Sequence, residues 1–537
     1  MEDPHSLVKR LRSFVDRVAV LASPSTTAVL AVARLAGSTR LDTLRPMQRL
    51  SNAAPDRDRR FFLASTCILL LAALPRFWSA WFDHGVFWPD EIFQSVEQAH
   101  RLVFGYGIVP WEFRDGARSW LFPGLVAIVL KLGAWLGLET GQALMTLVKS
   151  CMALLSLITL YLSMRLAHSL AGTRAAVIAG AIGAAFTFSL LLASKCFSET
   201  ATAPVLIGSF MLTRPSATGS ADTDRRRQLL AGALVGLAIG LRYQSGIVAC
   251  GLLGVLVLER RYREAAWFAA GATAAGLLVG LLDWYTWGSP FYALKQYVYF
   301  NVKKSGARFG RHPFYYFAHV AITAVGPTIA LIAVGFALGI RVAPKLALIV
   351  AGYVLVHSLV PHKEFRFLMP IMPMLFAVVG AGWAKQLERV RSPRTAAMLT
   401  VALGTVSVVA MGYQTTRLTW GNLGFPSDRG ERSPWHSGEG INRLLSRVGQ
   451  RPDVCGVMVT GESFGWIGGY SYFHRDRDLY PGTSEPERRA ANYLIAPADT
   501  APLPGYDLVD SARDARLLRR AGGCAAAPVD YRRELPR

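Results

Sequence analysis

Charge is scarce in this chain: only 18% of its 537 residues are Asp, Glu, Lys or Arg. Acids are the scarcer sign, 36 against 58 bases, which leaves a formal net charge of +22. Polar linkers of the kind that divide a soluble chain of this length into domains are missing. The six cysteines show no zinc-ligating spacing. No Asn-x-Ser/Thr sequon occurs. Residues 1–60 lack the short apolar core and cleavage site of a signal peptide. They are Arg-rich and moderately amphipathic, and read as a basic cytoplasmic extension, either partly disordered or lying on the membrane. Paired halves with midplane charges, the mark of many transporters, are also lacking.

Apolar sequence takes the place of what is missing. Hydrophobic residues make up 52% of the chain, and they recur in runs of about 20, the length that crosses a bilayer core as helix. Phe61–Ala80, Arg174–Ala193, Ala265–Tyr285, Val320–Ile340, Phe367–Gly382 and Thr395–Met411 are the clearest. The excess bases gather between such runs, at Arg225–Arg227, Arg260–Arg263, Arg341–Lys345 and Lys385–Arg394. That is the positive-inside pattern, with anionic membrane lipid as counter-charge, so nucleic acid is excluded as a partner.

The basic loops set the direction of each run. Phe61–Ala80 exits. Leu229–Leu258 begins and ends on the inner side, so it makes two short spans that bend at Arg242, Tyr243 and Gln244. Trp120–Leu138 and Ala143–Leu166 both precede the basic stretch Arg165–Arg174. Parity permits one or three crossings there, so one of the two is expected to be re-entrant or interfacial. The count comes to about eleven spans over residues 61–415, with outward loops at 81–119 and 286–317. Residues 416–537 read as a separate small α/β domain on the outer face. Its strands are expected at Val454–Val459, Asn492–Ile495 and Tyr506–Val509, with a helix at Glu439–Val448. No motif in it is assignable to chemistry. Cys455 and Cys524 can pair there if the compartment is oxidising; the other four cysteines read as packing residues.

Chemistry concentrates in the first outward loop, which opens Trp88-Pro89-Asp90-Glu91. Ile92, Val96, Ala99 and Val103 recur at helical spacing, so a helix is expected to lie along the membrane surface. Acids at a helix start usually cap free N–H groups. This pair also stands within ten residues of a membrane exit. Arg114 and Arg118 follow as phosphate binders, and Trp111 and Trp120 as sugar platforms or interface anchors. Glycosyl transfer to an alcohol needs a carboxylate to take the hydroxyl proton and cations to stabilise the departing phosphate. Further along, His362, Lys363 and Arg366 offer three cations at a membrane edge, either for phosphate or as an anchor paired with Glu364. Arg242 lies in an apolar stretch and is functional by default, unless it pairs with an acid such as Glu199. Asp283 either orients an acceptor or holds an arginine.

Several of these stretches resemble a known family. Pro89–Glu91, Glu97–Val103, Phe104-Gly105-Tyr106-Gly107, Trp111-Glu112 and Arg118-Ser119 are similar to the first luminal loop of the dolichyl-phosphate-mannose-dependent α-mannosyltransferases. These form glycosyltransferase family 22, of the GT-C fold. Within it the resemblance is to the members that add the third mannose of the GPI anchor. Asp283-Trp284-Tyr285, Tyr299-Phe300-Asn301 and Phe309–Tyr316 resemble the long luminal loop. His362-Lys363-Glu364-Phe365-Arg366-Phe367 resembles a motif at the head of a late span. Trp88 stands where relatives have His, and Phe309 where they have Tyr. Phe197–Thr200 and Leu241–Gln244 match more weakly, and the likeness covers roughly Phe61–Met411.

The resemblance implies an all-α polytopic GT-C membrane protein. It implies inverting, metal-independent transfer of mannose from a polyprenyl-phosphate carrier to a glycan or glycolipid acceptor. No cofactor is needed beyond the lipid-linked donor. Asp90 is the expected general base, with Glu91 as alternative or orienter. Arg118, Arg242, His362, Lys363 and Arg366 are expected at the donor phosphate, and Trp111, Glu112, Asp283 and His312 at the sugar or acceptor. Another lipid-linked sugar, such as glucose or arabinose, is the alternative, ahead of a transporter. Richness in Ala, Gly and Arg and the missing sequons favour a bacterial inner membrane over endoplasmic reticulum.

Overall fold

The structure is a computed structural model and describes residues 53–215, 220–303, 310–425, 431–480, 482 and 484–525. Most of the basic extension, and Phe309, lie outside the described residues. Four described helices are long and apolar enough to cross a membrane: Asp58–Phe82, Gly141–Ala185, Tyr262–Trp287 and Pro393–Thr416. Shorter apolar helices include Leu121–Trp135, Thr328–Ile340 and Pro344–Leu359. Where about eleven runs of spanning length were expected, many helices are thus only 10–17 residues long. Their outward faces carry Leu70, Leu74, Leu277, Leu278, Met398 and Val409, all exposed. An apolar belt of that extent is stable against lipid rather than water.

The helix Gly141–Ala185 breaks at Ala171 and Gly172, where Gly172 takes a φ of 76° that suits glycine. Its arms fold back on each other, with Met164 against Gly180 and Leu160 against Gly183. The turn falls within the basic stretch Arg165–Arg174, where the sequence places one. Arg242 is likewise the bend between helices Ala221–Leu241 and Gly246–Leu258, extended at φ −150° and ψ 110°. Val320–Ile340 is not one helix, however. Gly326 at φ 67° and Pro327 split it into Tyr316–Val325 and Thr328–Ile340.

The parity problem has a geometric answer. Leu121–Trp135 has 15 residues and so measures about 22 Å, short of a core of about 30 Å. It starts beside Asp90 and Arg118. It ends near Gly141, which abuts Tyr472, while Gln142 N–H donates to Ser446 Oγ at 3.1 Å. Both of its ends therefore lie at the same end of the molecule.

That end carries a five-stranded sheet: β1 Gly456–Val459, β2 Asp478–Tyr480, β3 Tyr493–Pro497, β4 Tyr506–Ala512 and β5 Ala515–Arg520. The order is β2-β1-β3-β5-β4. β1 pairs in parallel with β2 and β3, and β5 is antiparallel to β3 and β4. The helix Glu439–Gly449 and all three expected strands are present; β2 and β5 are additional. A Cys455–Cys524 disulfide ties the start of β1 to the chain beyond β5. The region is not a separate piece. Its Leu444, Ile467, Tyr470 and Phe473 share one apolar cluster with Ile92, Phe93 and Val96 of the first loop.

Candidate active site

Trp88 is extended, and Pro89 starts a single helical turn, Pro89–Glu91, as its fixed φ favours. A π-helical turn, Ile92–Val96, and the helix Glu97–Phe104 follow. Ile92, Val96, Ala99 and Val103 are all buried. They pack against Leu121–Trp135 and the C-terminal region rather than against a membrane surface, which corrects the interfacial placement of this helix. Glu97 anchors it from within. Its carboxylate accepts from Ile108 N–H, Tyr470 N–H, Ser471 N–H and Ser471 Oγ–H.

The two adjacent acids part company. Glu91 is 1% exposed, and its Oε2 accepts from Phe87 N–H at 3.0 Å, so it fixes its own loop. Asp90 instead opens into a cavity of about 850 Å³ whose walls include Trp88, Glu112, Arg118, Arg366 and Trp466. It also lines a small polar recess with Ser119, Glu199, Arg242 and Tyr243.

Arg366 is the hub of the site. It reaches Asp90 Oδ2 at 2.6 Å, Glu364 Oε2 at 2.6 Å and Glu199 Oε1 at 3.2 Å. Arg242 shares Glu199 at 3.1 Å, and His362 Nε2 lies 3.0 Å from Glu364. The Arg242–Glu199 and Glu364 pairings weighed from the sequence are therefore both present, and these cations are committed to protein carboxylates. Arg118 differs. It lines both cavities, lies 5.7 Å over the Tyr297 ring, and makes no direct salt bridge among the described residues, although Glu112 and Glu199 feel its charge.

Trp111 and Glu112 also face the large cavity. The Trp111 ring is 4.4 Å from Phe300, and Glu112 accepts from Gln94 Nε2 at 2.7 Å. Burial, reinforced by the nearby Asp90 charge, pushes the Glu112 carboxyl up to about 7.

Three expected site residues lie off both cavities. The Lys363 ammonium is buried and donates to His312 O at 2.9 Å, which joins two loops instead of meeting a phosphate. The His312 ring rests on Tyr316, at 4.2 Å. Asp283 accepts from Ala293 N–H at 3.1 Å and so fixes the start of helix Tyr292–Lys303 rather than an acceptor. Sequence reasoning passed over Gln94, Arg311 and Trp466, all of which line the cavity. A lone Trp in a polar region carries no periodic signal, so Trp466 was invisible to it.

Among the described residues, Asp83, His436 and Glu439 are close enough to hold a metal ion. Lys195 already neutralises Asp83, and Arg443 and Arg513 neutralise Glu439. Hydrogen bonds to Asp83 and Glu439 raise His436 to about 9, which suits an ion pair with both carboxylates.

The model of the Alg9-like mannosyltransferase family matches residues 67–419. GPI alpha-1,2-mannosyltransferase 3 of Danio rerio is 28% identical over 316 residues, 56% of each chain. GPI mannosyltransferase 3 of Yarrowia lipolytica is 27% identical over 356 residues, 64% of this chain and 67% of the relative. The chain thus spans little more than half the length of the zebrafish protein. Among solved structures, ArnT from Cupriavidus metallidurans bound to undecaprenyl phosphate superposes with a TM-score of 0.53 at 15% identity, covering 84% of this chain and 97% of that one. Its apo form gives 0.51. At that identity the likeness speaks for the fold alone.

Proposed function

Because the chain belongs to the Alg9-like mannosyltransferase family, we propose that it moves mannose from a polyprenyl-phosphate carrier to a glycan or glycolipid acceptor in the cavity beneath Asp90. One observation carries this reading: Asp90 opens on a large, aromatic-walled cavity beside Arg118, a cation in no direct salt bridge among the described residues. An acceptor hydroxyl oxygen attacks the anomeric carbon while its proton passes to the Asp90 carboxylate. The bond from that carbon to the phosphate oxygen breaks, and the phosphate leaves with the electron pair. Arg118 stabilises the charge that develops there, and in-line displacement inverts the anomeric centre. Arg366 and Arg242 align the site through Glu199 instead of meeting the phosphate first. Glu91 shapes the loop that holds Asp90.

A polyprenyl-phosphate donor also fits the undecaprenyl phosphate bound in one fold relative. The lean towards a bacterial membrane finds no support in the curated relatives described, from a fish and a yeast. The proposal is therefore confined to a membrane enzyme. Its test is reconstitution with radiolabelled lipid-linked sugars. Turnover of the mannosyl carrier is expected, with Asp90→Asn inactive at normal expression. Full activity of that variant would exclude Asp90 as base. Turnover of a glucosyl or arabinosyl carrier alone would move the donor assignment.

A further inference from the structure

The family match ends at residue 419, yet the catalytic cavity is closed by residues beyond it. Gly465 and Trp466, from the sheet-bearing C-terminal region, form part of its wall. They follow β1 and stand directly over the catalytic turn. The Trp466 ring lies 4.9 Å from that of Trp88 at 78°, and 5.3 Å from Trp420 at 90°. A Cβ on Gly465 would meet the ring of Pro89 at 3.6 Å, ordinary van der Waals contact. Gly465 and Trp466 are therefore seated against Pro89 and Trp88, the two residues before Asp90.

The cavity is polarised. Arg118, Arg242 and Asp90 line both the large cavity and the small recess. The large cavity also has an apolar flank, Ile247, Val356 and Val360, from helices Gly246–Leu258 and Pro344–Leu359 and the residue after the latter. A lipid-borne phosphate approaches from that side, because its tail stays among apolar helices. Trp466 lines only the large cavity and belongs to the one region built from polar-faced strands rather than apolar helices. What enters past it comes from water. Large aromatic side chains suit pyranose rings there, with an apolar body and a polar tip.

We propose that Trp466, backed by Trp88, is a positioning and specificity-determining residue for the acceptor saccharide, so that acceptor choice is written in the C-terminal region. The inference rests on the transferase reading above, and the test separates the two. Transfer is measured with the full-length reconstituted protein, a mannosyl polyprenyl phosphate and a short mannose-terminated acceptor glycan. Removing one aromatic platform in Trp466→Ala is expected to raise the acceptor KM about tenfold. The donor KM and the kcat at saturating acceptor should change less than twofold, and Trp466→Phe should restore most of the loss. Gly465→Val adds bulk at the same wall without removing packing, and it should raise the acceptor KM even if Trp466→Ala does not fold. An unchanged acceptor KM in the folded variants overturns the inference while leaving the transferase reading intact. Equal losses in donor and acceptor KM also overturn it. No turnover in the unaltered protein would instead remove the transferase reading on which it rests.

Discussion

Arg366 holds three carboxylates, from the first loop, from the start of helix Ser198–Thr213 and from its own turn. Removing it takes the cation from Asp90 and leaves the buried Glu199 and Glu364 with only Arg242 and His362 beside them. Arg366→Ala is expected to destabilise the protein by about 3–5 kcal/mol, read as a fall in melting temperature in detergent. Arg366→Lys should recover little, because a point charge cannot fork to several acceptors. Glu112 yields a pH prediction. Its carboxyl is raised from 4.5 to about 7 in the folded protein. Its contribution is therefore fully present below 4.5 and lost as pH rises through 7, an effect of about 3 kcal/mol by linkage. Glu112→Gln should be more stable than the parent at pH 8, and the difference should vanish near pH 4.5; equal offsets at both pH values would refute it. At this scale the sequence exposed Asp90 but could not separate it from Glu91. Neighbours on a helical turn point about 100° apart, so one faces the cavity and the other its own loop. Arg242 stood out by its apolar setting, and Glu199 was legible as its candidate partner. Lys363 and Asp283 were not legible, because the groups they hold are backbone atoms that no side-chain pattern records.

Among elements, the span-length helices and their turns followed from apolar runs and basic clusters. The bends at Gly172 and Arg242 fell where charge placed them. The Gly326–Pro327 break did not show, and parity called for one re-entrant run without saying that it was Leu121–Trp135, since hydrophobicity reports burial in lipid or protein alike and not direction. The helix Glu97–Phe104 was periodic enough to find, but its partner was not. That partner lies 374 residues away, where His100 Nε2 meets His474 Nδ1 at 2.9 Å. Burial lowers His100 to about 3, with His474 adding to the effect, and burial lowers His474 as well. Both therefore resist protonation more in the folded protein than in the unfolded chain. Stability is then complete above 6.5 and falls as pH drops from 6.5 towards 3, because the unfolded chain takes up protons that the folded one refuses. The melting temperature should decline from pH 7 to pH 5, and His100→Gln should flatten that decline. An unaltered slope would refute the assignment.

The molecule as a whole is a set of apolar helices with a polar cap that shares its core with the loop that presents Asp90. Its α/β character was readable from alternation and turn residues; its union with the first loop was not, because each segment alone looks merely amphipathic. The Cys455–Cys524 bond spans 69 residues, and chain entropy assigns a loop of that length about 4 kcal/mol. Reductant, or a Cys455→Ser exchange, should therefore lower the melting temperature of the cap and of transfer activity together. Loss of cap stability with undiminished transfer would show that the cap is dispensable. The Glu97 carboxylate sets a timetable for biogenesis. Two of its backbone donors, Tyr470 and Ser471, are made 373 and 374 residues after it. At about 5–20 residues per second of synthesis, the loop that presents Asp90 waits tens of seconds, until almost every helix has been inserted, before its anchor is complete. On the proposed reaction, a half-made chain is expected to be inactive towards passing carrier lipid.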